Sequence, residues 1–124
     1  MLNWLFGPQA QARQLYKDAR TIIAIAREGY RVEKTREMAL LTRTTLEDAR
    51  AYAQAKNEDH KLMLERLEMY HRGAKHARDQ VRFTAYTLAL IYLRAEALGD
   101  VAAEARAEID QFYNDWAHAA DLPQ

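Results

Sequence analysis

Apolar residues recur at helical spacing through most of this chain. Met63, Leu67, Tyr70, Ala74, Ala77, Val81, Thr84, Leu88, Ile91, Ala95 and Leu98 follow one another at alternating intervals of four and three. A period of about 3.5 residues, held for about five heptads, is the seam of a helix packed along another helix. It predicts one long central helix over residues 60–98. A second series, Ala102, Ala105, Ile109, Phe112, Trp116 and Ala119, predicts a C-terminal helix over residues 101–120. Gly99-Asp100 separates the two, since glycine suits the left-handed residue after a helix and Asp accepts the free amides of the next first turn. Upstream, Leu15, Ala19, Ile22 and Ala26 form an inner stripe that thins after Glu28 and resumes at Met38, Leu41, Leu46, Ala49 and Ala53. This predicts a first helical arm over residues 9–56, with Pro8 suited to its first turn. Thr44 and Glu47 have the spacing of a capping box, so the arm is either one helix or two with a break near 42–45. Asn57-Glu58-Asp59 is the predicted reversal. Residues 1–8 form an N-terminal apolar tail.

The stretch from Phe83 to Leu93 is apolar on every side, and such a helix is buried all round. The fold class that follows is all-α: a long antiparallel helical hairpin plus a shorter C-terminal helix, a three- or four-helix bundle in one domain. Two helices covering residues 38–76 bury too little apolar surface on their own. The pattern therefore predicts a bundle completed by dimerisation, a homodimer with Leu41, Leu46, Met63 and Leu67 at the seam between copies.

Composition narrows the chemistry. The 124 residues balance 18 Lys and Arg against 18 Asp and Glu, and they include no Cys and no Ser. That excludes a disulfide framework, a thiolate metal site and a Cys or Ser nucleophile. Glycine-rich phosphate loops are absent. No enzymatic activity and no cofactor are expected. The opening residues do not have the pattern of a secretory leader and no run approaches the roughly 20 apolar residues of a membrane span, so the default location is the cytoplasm.

Four constellations remain. Glu68-Met69-Tyr70-His71 carries the Glu-x-x-His spacing of di-iron ligands. Glu68 and His71 are rotated about 100° from the seam, however, which makes them a solvated flank; no metal is expected, and this pair is the alternative. Arg13, Lys17, Arg20, Arg27, Arg31 and Lys34 recur at 4-3-7-4-3 spacing and predict one basic face, able to follow phosphates or an anionic membrane or to pair with the acidic last helix. Zero net charge and the lack of interleaved aromatics disfavour nucleic acid. Leu2, Trp4, Leu5 and Phe6 form a patch that can dock on a protein partner, anchor to a membrane surface, or plug the end of the bundle beside Trp116. Tyr70, Tyr86, Tyr92, Phe112 and Trp116 are plain core or the lining of a ligand pocket. The reading these residues favour is a non-enzymatic helical interaction or scaffold module acting through self-association and protein docking. The alternatives are a small-ligand or metal-binding bundle and a peripheral membrane protein.

Overall fold

A computed structural model describes residues 7–56 and 60–117. They form an all-α bundle of five helices joined by short turns: α1 Pro8–Gly29, α2 Val32–Lys56, α3 His60–His76, α4 Gln80–Leu98 and α5 Ala103–Ala117, with a 3-10 turn Gly99–Ala102 leading into α5. No strand occurs among the described residues.

The helix α4 is the centre, because it packs on α1, α2, α3 and α5. Its apolar circumference demands this. Leu88 and Ile91 join Ala19, Ile23 and Ala26 of α1, Met38 and Ala39 of α2, and Ile109 and Phe112 of α5 in one core. Leu90 and Leu93 point the other way, into a second core with Leu46 of α2 and Met63 and Leu67 of α3. At the end of the bundle where α4 meets the 3-10 turn, Ala12, Ala95, Ala102 and Ala105 pack together, and their small side chains let four segments converge. The helices α1 and α2 meet chiefly around their joint, where the Thr35 hydroxyl donates to the Ala26 carbonyl at 2.7 Å.

Two predicted boundaries are corrected. The residues 60–98 are not one rod. α3 ends with Arg78 at φ 57, its amide donating to the Lys75 carbonyl (3.1 Å) while the Asp79 amide donates to that of Ala74 (3.0 Å). This is a helix-terminating pattern that satisfies the last free carbonyls. Asp79 then caps α4, its Oδ1 accepting the Arg82 amide at 3.0 Å. The seam hides this turn, since Ala77 and Val81 keep the heptad spacing through it. The second correction concerns the first arm, which breaks at Tyr30–Arg31 and not near 42–45. The Thr44 hydroxyl donates back to the Leu40 carbonyl (3.1 Å) and Glu47 pairs with Arg43 (3.2 Å), so neither acts as a cap. A threonine bonded to the carbonyl four residues back leaves its helix intact. Gly99 ends α4 as expected, with φ 75.

Candidate functional site: the tyrosine cleft between α2 and α3

Antiparallel α2 and α3 rest on α4 but do not close over it. The gap between them is a cleft of ≈ 390 Å³. From α2 come Leu41, Thr45, Asp48, Ala49 and Tyr52, whose spacing places them on one helical face; from α3 come Met63, Arg66, Leu67 and Tyr70; Tyr86 of α4 completes the lining. Buried Leu46, Met63 and Leu67 support the cleft from below. Arg66 bridges the mouth: its guanidinium lies 3.6 Å from the centre of the Tyr52 ring and 5.3 Å from that of Tyr70. Cation–π attraction of this kind orients the arginine without neutralising it, and among the described residues Arg66 makes no ion pair. The outer rim of the cleft continues onto an exposed part of α3, where Leu62, Met69 and Tyr70 are 45%, 55% and 45% exposed.

Behind the cleft, polar contacts pin α3 to α4. Thr87 donates its hydroxyl hydrogen to the Phe83 carbonyl (2.7 Å), so its oxygen accepts from His71 Nε2–H at 2.7 Å. The His71 ring also stacks on Phe83, with centroids 4.5 Å apart. Burial, then the nearby Arg94 and Lys75 charges, hold the His71 imidazole below its usual pKa, against an opposing pull from Glu68. Glu68 itself pairs with Arg94 at 2.8 Å. At the other end of α3, His60 Nε2–H donates to the Leu93 carbonyl at 2.9 Å.

The residues singled out from sequence scatter accordingly. Leu46, Met63 and Leu67 are only 4%, 7% and 3% exposed, turned into the chain's own core, so they form no seam between copies. Leu41 is half-buried in the cleft wall. The predicted basic face divides. Arg13, Lys17, Arg20 and Arg27 lie exposed on α1, Arg31 is in the α1–α2 joint, and Lys34 is on α2, where its charge acts on Asp79. Arg20 donates to the Tyr16 hydroxyl (3.1 Å), and Glu108 of α5 lies near enough for its charge to act on the guanidinium. Glu68 and His71 both engage α4, and no group of three His, Cys, Asp or Glu able to hold a metal occurs among the described residues. Leu2, Trp4, Leu5 and Phe6 lie outside the described residues. Of the five aromatics, Tyr70 and Tyr86 line the cleft. Phe112 is core, Trp116 packs against that core, and the Tyr92 hydroxyl donates to Asp110 at 3.2 Å. Burial, then Asp110, raises the Tyr92 pKa.

Tyr52 and Arg66 carry the cleft's geometry and are absent from the sequence-derived candidates. They stand seven residues either side of position 59. A hairpin reversing there brings them level, which is the signal that could have found them.

No helix among the described residues is long and apolar enough to cross a membrane. The chain matches no protein-family model, no curated protein and no solved structure in the comparisons made.

Proposed function

We propose that this protein is a non-enzymatic interaction module whose working surface is the α2–α3 face. The observation that carries the reading is the exposed pair Met69–Tyr70 on the rim of a cleft lined by Tyr52, Tyr86 and Arg66, which makes no ion pair among the described residues. Tyrosine, methionine and arginine are the residues enriched at protein interfaces, and a concave apolar site ringed by them is where binding energy concentrates. The cleft's chemistry favours docking over catalysis. Asp48 is the sole carboxylate among the described lining residues, and none of them is a histidine that could activate the Thr45 or tyrosine hydroxyls.

A peptide-display selection on the intact chain tests this. Enriched peptides are expected to carry apolar residues at helical spacing, and to lose about tenfold or more in affinity against Met69→Glu and Tyr70→Ala. Both positions are exposed, so both variants should stay folded and lose about 1 kcal/mol of stability or less. No enrichment, or peptides bound equally well by the variants, overturns the reading. The cleft volume of ≈ 390 Å³ supports a second reading, because it falls in the ~300–1,000 Å³ range of small-molecule sites. Under that reading, a small aromatic carboxylate would raise the melting temperature of the wild type and not that of Arg66→Met.

A further inference from the structure

The outer face of α3 carries an exposed apolar strip flanked by opposite charges. On a helical wheel Leu62, Met69 and Gly73 fall within about 40° of one another, a narrow strip running the length of the helix. Leu62 and Met69 are exposed, and nothing lies within 4 Å of where a Cβ on Gly73 would stand. Glycine in a helix interior is destabilising relative to alanine, and no neighbour among the described residues needs the space. Beside the strip stand Glu65 and Arg72, both exposed and neither in an ion pair among the described residues.

Position these residues along the axis. Glu65 lies about 6 Å before Met69 and Arg72 about 4.5 Å after it, both on the same side of the strip. A two-fold axis perpendicular to α3 beside Met69 preserves that side and reverses the direction. Glu65 of one copy then comes level with Arg72 of the other, and the exchange occurs twice. A parallel pairing brings neither pair level. Gly73 gives the backbone room for close approach, and the second α3 runs along the cleft rim beside Arg66 and Tyr70.

We infer that the partner of the α2–α3 face is a second copy of this chain, joined through antiparallel α3 helices with Glu65–Arg72 pairs flanking a Met69 contact. This rests on the interaction-module reading above and names its occupant. One helix of 17 residues offers an interface at the small end of the specific range, so the dimer is a weak one.

Sedimentation of the full chain over a concentration series tests it. The wild type is expected to rise from 14.4 kDa towards twice that mass. Glu65→Arg alone and Arg72→Glu alone stay monomeric, because each sets like charges opposite one another. An equimolar mixture of the two variants recovers the dimer, since each then supplies what the other lacks. The chain has no cysteine, so Met69→Cys reports the dyad directly. It is expected to form a disulfide-linked dimer under mild oxidation, while Ile25→Cys, exposed on α1, does not. A wild type monomeric throughout, a mixture no more associated than its components, or equal cross-linking of both cysteine variants overturns the inference. If selected peptides still bind through Met69 and Tyr70 in that case, the second copy is wrong and the module reading stands. If no peptide binds and the charge-swap mixture dimerises, the peptide-docking reading falls and the second copy alone occupies the face.

Discussion

The two sides of α4 differ in how many helices cover them. On one side α1, α2 and α5 surround Leu88 and Ile91, and the contributions are compact: Ala19, Ala26, Met38, Ala39, Ile109, Phe112. On the other, α2 and α3 alone among the described elements cover Leu90 and Leu93. Four helices close a core, whereas three leave a groove along the seam where two of them diverge. The large side chains on the α3 side, Tyr52, Tyr70 and Tyr86, line that groove without filling it. A helix apolar all round is thus covered within one chain except where Phe83, Tyr86 and Tyr92 are half-buried, and the cost appears one layer out, as an exposed apolar strip on α3. The self-association argued from sequence loses its original seam and reappears as a proposal on a different face.

Mutations can sharpen this contrast. Leu88 is completely buried in the four-helix core, so Leu88→Ala should lose about 3 kcal/mol in chemical unfolding, while Tyr70→Ala on the open side loses about 1 kcal/mol or less. Equal losses would break the distinction. Asp79→Ala, which removes the cap that starts α4, should cost about 1 kcal/mol. Gly73→Ala should stabilise the monomer by about 0.5–1 kcal/mol, since no neighbour among the described residues crowds the added methyl. The same change weakens the dimer inferred above, which separates its two effects.

The smallest effect is a pH dependence, and its sign follows from His71. Its folded pKa lies below the usual 6.5, so the unfolded chain binds the proton more readily. The contribution to stability is complete above pH 6.5 and is lost as pH falls through the folded value. Unfolding midpoints measured between pH 7.5 and pH 5 should therefore decline in the wild type, with a shallower decline in His71→Gln.

Much of the fold was legible in the residues. Of the heptad series, Met63, Leu67, Ala74, Leu88, Ile91 and Ala95 are buried as an inward-facing seam requires, whereas Tyr70 and Ala77 of the same series are exposed. Gly99 marked the end of α4, and the all-round apolarity of Phe83–Leu93 anticipated the central helix. The turn at 77–79 was not legible because the apolar register runs through it without a phase change. Its left-handed residue is also an arginine, where glycine or asparagine would have drawn notice. Asp79 was the remaining clue, being a capping residue inside an apolar run. The cleft was half legible: Tyr70 and Tyr86 stood out as aromatics, while Tyr52 and Arg66 become partners only once α2 and α3 are antiparallel.

The reversal of the apolar rod at residues 77–79 underlies both cores and the α3 face, and a distance measurement tests it most directly. Lys61 and Ala97 are exposed at opposite ends of the predicted rod. Their Cys variants can carry spin labels in a chain with no cysteine of its own. In the folded-back bundle, where Leu64 and Ala97 line one groove, the labels should stand about 20 Å apart, as on neighbouring helices. A continuous helix would place them about 54 Å apart, and that distance would contradict the architecture described here.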